Sequence, residues 1–374
     1  MQKNTRCVHS GTGKDPLTRG LNTPIFTSSS YEYLDTDENV YPRYFNIPNQ
    51  KAVVEKLCAL ENAEDGLLFS SGMAAISTAI LAFLSSGDHV VLQKDIYGGT
   101  HHFVTADFER FGIEFTFVDN EAADIERAVK PSTKIIYIET PSNPLLLITD
   151  IAATAQIAKD NNALSIIDNT FATPINQNPL DLGIDIVTHS GTKYLGGHSD
   201  LCCGAVLTRR DLAENIAATA ANLGGSLNAM TCYLLERSLK TLGLRAAKHN
   251  RNAQIIAEHL QKDARIQKVF YPGLESHPGH ALAKKQMRGF GGMLAFELGG
   301  PAPETFLKNL KVVTPALSLG GVETIICSPA TTSHQKISAT ERAELGITDN
   351  TLRLSVGIED PDDIIADIDR ALHG

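Results

Sequence analysis

Five short apolar runs, at residues 89–92, 135–139, 164–168, 184–187 and 203–207, alternate with stretches of helical period such as 124–129 and 151–159. Strands that return through helices pair in parallel and leave both sheet faces to be covered, so this pattern predicts an α/β fold with a mostly parallel central sheet and helices on both faces. Ahead of it, the segment up to about residue 50 is rich in Thr, Ser, Pro and Tyr, shows no helical period and reads as an extended arm. Beyond Ser226 the order changes. A long helical pattern passes through Tyr233, Leu239 and Leu242 towards Ile256 and Leu260, with Gly243 marking a kink or break. Apolar runs follow at 293–298, 312–319, 324–328 and 352–358, and a smaller C-terminal α+β domain fits this half. The last helix starts at Pro361, with Asp360 placed to cap it.

A chain of 374 residues with 43% hydrophobic content can bury a large core, in two domains or in one with a substantial extension. The formal charge of −10 and the lack of a basic patch interleaved with aromatics argue against a nucleic-acid partner. The longest apolar stretch, 73–84, contains Ser77 and Thr78 and is shorter than the roughly 18 residues a bilayer requires, so no membrane partner is expected. Six cysteines without paired spacing suit reduced thiols in the cytoplasm. His101, His102, His189, His198, Cys202 and Cys203 match no zinc spacing, and no metal is expected.

Chemistry concentrates in His189-Ser190-Gly191-Thr192-Lys193-Tyr194, downstream of the strand-ending Asp168. Lys193 can condense with an aldehyde, Ser190 and Thr192 can donate hydroxyls to a phosphate, and the glycines leave room for a planar ring. Asp168 would emerge at the sheet's carboxyl edge, where open α/β sheets place ligands and where it could hold a ring nitrogen protonated. Pyridoxal 5'-phosphate requires this combination. Taken singly, Lys193 is a solvated lysine and Asp168 a helix cap; taken together they point to the cofactor. Ser71-Gly72-Met73 opens a helix after Leu67-Leu68-Phe69, aiming the N–H groups of Gly72 and Met73 at an anion.

Ordered matches along nearly the whole chain resemble the pyridoxal-phosphate enzymes of cysteine and methionine metabolism. They run from Ser71-Gly72-Met73-Ala74-Ala75 through Tyr97-Gly98-Gly99-Thr100, Glu139-Thr140-Pro141-Ser142-Asn143-Pro144 and the lysine motif to Arg353-Leu354-Ser355-Val356-Gly357. That family includes cystathionine γ-synthase, cystathionine β- and γ-lyases, methionine γ-lyase and O-acetylhomoserine sulfhydrylases. The resemblance implies the fold-type I pyridoxal-phosphate transferase fold, and the pattern along the chain divides it into an arm (1–50), a cofactor-binding domain (51–225) and a long helix with the C-terminal domain (226–374). It implies that Gly72 and Met73 hold the phosphate, that Tyr97 stacks on the cofactor and serves as proton donor or acceptor, and that Asn143 bonds the cofactor's phenolic oxygen and the substrate carboxylate. Arg353, helped by Ser318, would clamp the substrate's α-carboxylate. Tyr41 and Arg43 would reach a neighbouring subunit's phosphate, giving a homotetramer built from dimers with shared sites. Here the chain reads Asn46-Ile47-Pro48-Asn49 where the family usually continues Asn-Pro-Thr.

The expected activity is that of a carbon–sulfur lyase on cystathionine or related sulfur amino acids. Alternatives are γ-replacement by a cystathionine γ-synthase or homoserine-ester sulfhydrylase, methionine γ-lysis, aminotransfer, and non-catalytic cofactor binding in regulation. His102 stands where relatives that bind a distal carboxylate commonly carry arginine, which suggests tolerant substrate preference. Gly99 stands where methionine γ-lyases carry cysteine, so methionine cleavage ranks below cystathionine cleavage.

Overall fold

The computed structural model describes residues 1–332 and 339–373. Seven strands form the larger sheet: β1 (Asp65–Phe69), β2 (His89–Gln93), β3 (Glu114–Val118), β4 (Thr133–Glu139), β5 (Leu164–Asp168), β6 (Ile186–Ser190) and β7 (Gly204–Thr208). Their order is β1-β7-β6-β5-β4-β2-β3. Only β7 runs against its neighbours β1 and β6; the pairings from β6 through β5, β4 and β2 to β3 are parallel. Side chains alternate across each strand. Thus Ile135, Tyr137 and Ile166 enter one core with Phe69 and Val90, while Ile136, Ile138 and Ile167 enter the other with Leu68 and Val91. Burial on both faces explains why these strands are apolar at nearly every position.

The strands that the apolar runs do not announce are β1 and β3, the edges of this sheet, and Ile266–Phe270, an edge of the second. β3 reads Glu-Phe-Thr-Phe-Val and is only partly buried, so alternation replaces the continuous run. The run at 184–187 becomes strand only from Ile186, because the Asp185 side chain accepts the Ser165 N–H and hydroxyl at 2.9 and 2.8 Å.

The second sheet contains β8 (Ile266–Phe270), β9 (Met293–Leu298), β10 (Thr314–Pro315), β11 (Ile325–Cys327) and β12 (Thr351–Ser355), in the order β10-β11-β12-β9-β8. Leu294, Phe296, Leu352 and Leu354 pack beneath helices Leu242–Leu260 and Pro361–His373 through Ile256, Ile364 and Ile368. The expected strand at 312–319 shrinks to two residues. Pro315 has no N–H to give a ladder, Ser318 adopts a left-handed φ of 81°, and the N–H groups of Lys311, Val312 and Val313 go to the Asp367 carboxylate instead.

The long helical pattern divides at Lys240 and Thr241 into Ala229–Leu239 and Leu242–Leu260. Gly243 lies inside the second helix rather than at the break. A Cβ there would fall 2.0 Å from Asn4 Oδ1, so the glycine admits the first helix, Lys3–His9. That helix corrects the reading of 1–50 as extended throughout. Its C-terminal end is held by Lys56, fully buried, whose ammonium donates to the carbonyls of Cys7 (3.1 Å) and Ser10 and to the Thr12 hydroxyl (3.1 Å). The departure at 46–49 also has a local account. Asn46 Oδ1 accepts the Tyr41 N–H at 2.9 Å, and Pro48 begins helix Pro48–Glu61.

Asp367 is buried, which alone would raise its pKa, but three backbone N–H groups and Arg370 outweigh burial and hold it below the usual carboxylate range. A depressed native pKa adds stability above the unfolded value and loses it as pH falls through the native one. Asp367→Asn should therefore lower stability at neutral pH by about 1–3 kcal/mol. Urea midpoints of variant and wild type should converge on acidification from about pH 5 to about pH 2; a gap constant across that range would assign the pH dependence elsewhere.

Candidate active site

The carboxyl ends of β4, β5 and β6 open onto one cavity of about 430 Å³, within the range of small-molecule sites. Its lining includes Gly72, Met73, Tyr97, Asn143, Asp168, Ser190, Thr192, Lys193, Ser318 and Arg353. Ten of the thirteen residues singled out in the sequence thus meet in one place. Tyr41, Arg43 and His102 do not line it.

Lys193 Nζ donates to Ser318 Oγ at 2.6 Å, joining the lysine turn after β6 to the loop before β11. Burial, and then the neighbouring Arg353 guanidinium, hold its ammonium below the usual lysine range. A larger neutral fraction makes a better nucleophile and base. Asp168, at the tip of β5, is 6% exposed, and burial raises its carboxyl despite the Thr170 N–H that it accepts at 2.9 Å. Such a carboxyl favours a cationic partner.

On the opposite wall, Arg353 sits in β12 between Leu352 and Leu354, which enter the small-sheet core. Strand alternation sends Arg353 to the other face, towards the cavity. Its Nη1 donates to Asn143 Oδ1 at 2.8 Å and its Nη2 to the Ser318 carbonyl at 3.0 Å, while buried Nε has no partner among the described residues. An unpaired guanidinium N–H in a cavity suits a carboxylate.

The phosphate side is a cradle built from close backbone approach. Ser71 caps helix Gly72–Leu81 by accepting the Ala74 N–H at 3.1 Å. A Cβ on Gly72 would lie 2.8 Å from Ser190 Cβ, so only glycine lets the helix start and the Ser190 side chain converge. Thr192 differs from expectation in detail. Its hydroxyl donates to the Cys203 carbonyl at 3.3 Å and accepts the Cys203 N–H at 3.0 Å, so a phosphate bond from it requires the hydroxyl to turn. An aldehyde-reactive amine, a carboxyl at ring depth and an anion cradle together fit pyridoxal 5'-phosphate.

Tyr97 precedes helix Gly98–Phe111. A Cβ on Gly99 would lie 2.4 Å from the Tyr97 ring and 3.0 Å from Met73 Sδ, so no side chain fits there while the ring holds this place. Arg43 instead donates to the carbonyl of Ala221 and stacks over Tyr41 and Tyr44, at 5.8 and 5.2 Å. His102 is exposed on helix Gly98–Phe111. Sequence reasoning did not single out Glu139, Thr170, Phe171 or Cys202, all of which line the cavity. For Glu139 a signal existed, since it ends β4 as Asp168 ends β5 and the two are paired in register.

Comparison with known proteins agrees with this geometry. Residues 4–373 match the family described as Cys/Met metabolism PLP-dependent enzyme. A cystathionine gamma-lyase of Bacillus subtilis is 47% identical, the alignment covering 100% of each chain. A cystathionine beta-lyase of Lactococcus lactis is 45% identical over 99% of this chain and 98% of its own. The crystal structure of cystathionine gamma-lyase from Lactobacillus plantarum complexed with L-serine superposes with a TM-score of 0.96, at 43% identity, covering 100% of this chain and 99% of that one.

Gly72→Ala should weaken retention of pyridoxal 5'-phosphate by roughly an order of magnitude, since overpacking costs about 1–3 kcal/mol. Visible absorbance remaining after dialysis measures this. Retention equal to wild type would show that the cradle yields without cost.

Proposed function

The chain belongs to the family of Cys/Met metabolism PLP-dependent enzymes, and from that premise we propose that it is a carbon–sulfur lyase cleaving cystathionine or related sulfur amino acids by β- or γ-elimination. The observation that carries this reading is the convergence of Lys193, Asp168 and Arg353 on one cavity, in a chain whose relatives include cystathionine gamma- and beta-lyases. Bound there, pyridoxal 5'-phosphate supplies an electron sink for charge developing on the substrate's α-carbon. Asp168 holds positive charge on the ring nitrogen. Gly72, Met73 and Ser190 hold the phosphate, with Thr192 beside them. Arg353 takes the α-carboxylate, with Asn143 and Ser318 orienting its guanidinium. Lys193 Nζ removes the α-proton, its lowered pKa favouring the neutral base. For γ-elimination it also moves a proton at the β-carbon, and the Tyr97 hydroxyl protonates the departing sulfur.

Tyr41 and Arg43 complete the phosphate site of a neighbouring protomer, in a homotetramer built from such dimers. Supporting this, the arm exposes Leu17, Leu21, Tyr33, Leu34 and Tyr44, apolar area that a second copy would cover. Six free thiols suit work in the cytoplasm. No helix among the described residues is long and apolar enough to cross a membrane.

The keto acid released from cystathionine tests the reaction. Pyruvate identifies β-cleavage and 2-oxobutyrate γ-cleavage. Neither product, with consumption of an activated homoserine and cysteine, would replace the lyase reading by γ-replacement. Lys193→Ala should abolish turnover and the visible band of the bound cofactor; a band surviving dialysis would remove Lys193 from its role.

Mixing Arg43→Ala with Lys193→Ala protomers tests the shared site. Each mixed dimer has one site with both wild-type residues, so part of the activity should return. Proven subunit exchange without recovery would count against it.

A further inference from the structure

Glu139 is 4% exposed, lines the cavity and is paired in register with Asp168 across β4 and β5. Two carboxyls side by side in a desolvated edge repel, and burial followed by the Asp168 charge pushes the Glu139 carboxyl well above the usual range. A main-chain donor offsets part of that cost. Glu139 Oε2 accepts the N–H of Tyr97 at 2.7 Å. Tyr97 belongs to a separate segment, the one that enters helix Gly98–Phe111.

We propose that Glu139 is a positioning residue, a clamp whose carboxyl oxygen ties the backbone of Tyr97 to the carboxyl edge of β4 so that the Tyr97 ring faces the cofactor. The inference rests on the role given above to Tyr97. Glu139 acts on the reaction only through the residue it holds.

The test uses holoenzymes reconstituted with pyridoxal 5'-phosphate: Glu139→Ala, Glu139→Gln, Tyr97→Ala and the double Glu139→Ala/Tyr97→Ala variant. Visible circular dichroism per bound cofactor and kcat on cystathionine are measured for each. Glu139→Ala should retain the cofactor, since Lys193, Asp168 and the phosphate cradle are untouched. Its dichroic band should move towards that of Tyr97→Ala, and its kcat should fall roughly 10- to 100-fold, the scale expected of a misplacement near 1 Å. Adding Glu139→Ala to Tyr97→Ala should lower kcat by no more than about threefold further, because the two changes remove one unit. Glu139→Gln keeps an oxygen for Tyr97 and should stay within about threefold of wild type.

A wild-type band in Glu139→Ala, or fully additive losses, would overturn the clamp. So would a Gln variant as impaired as the Ala variant, which would assign the effect to charge beside Asp168. If the Ala variant does not fold, the Gln variant decides, a Tyr97→Ala-like band counting against the clamp and a wild-type band for it. A silent Tyr97→Ala would overturn the reading of Tyr97 and the clamp with it. A Tyr97 effect without a Glu139 effect overturns the clamp alone. The dichroic band reads cofactor geometry, so it holds whatever keto acid the wild type releases.

Discussion

A carboxyl buried at the tip of a parallel strand must be met by donors or by positive charge, and Asp168 imposes that demand on everything around it. Desolvation of such a group costs several kcal/mol if it stays ionised and unpaired. The Thr170 N–H supplies one bond, and the Lys193 ammonium pulls in the same direction. His189 is buried and held by Glu61 at 2.7 Å, and Glu61 accepts from Asn169 at 2.8 Å, the residue after Asp168. The ends of β5 and β6 are thereby fastened from below. Their upper side is left for a ligand that brings a cation.

The small sheet completes the site from the other direction. Arg353 reaches Asn143 of the large-sheet half, and Lys193 reaches Ser318 of the small-sheet half. These two bonds cross the same gap in opposite senses. Ser318, in the left-handed backbone conformation, meets both cations, its hydroxyl oxygen accepting from Lys193 Nζ and its carbonyl from Arg353 Nη2. The residues that would handle the proton and the carboxylate are therefore set by one short loop.

What was legible in the sequence follows from where each signal originates. β5 and β9 match their apolar runs because both are buried along nearly their whole length. Edge strands β1 and β3 escaped, since β1 begins with the partly buried Asp65 and Gly66 and β3 alternates polar and aromatic residues with only Val118 buried. The apolar run before Ser318 misled because its backbone donors are claimed by Asp367, more than 50 residues away in sequence, a partnership no local window contains. The lysine motif, Asp168 and Arg353 were readable because chemistry restricts the residue type at each. Glu139 was not singled out, although it obeys the same edge rule, because its carboxyl bonds to main chain and leaves no mark on the residue that it holds. His102 illustrates the converse: its position in a motif put it forward, but the helix that bears it carries it outside the cavity of its own protomer.

Lys56 bears on how such a chain can change over generations. Its ammonium is solvated by carbonyls of the first helix and the residues after it rather than by an acidic side chain. Every residue type carries a carbonyl, so side chains along this segment can drift while the ion keeps its coordination. The backbone path cannot drift, because a shifted path would strand a charge in the core. Inheritance is therefore strict for the course of the segment and loose for most of its lettering.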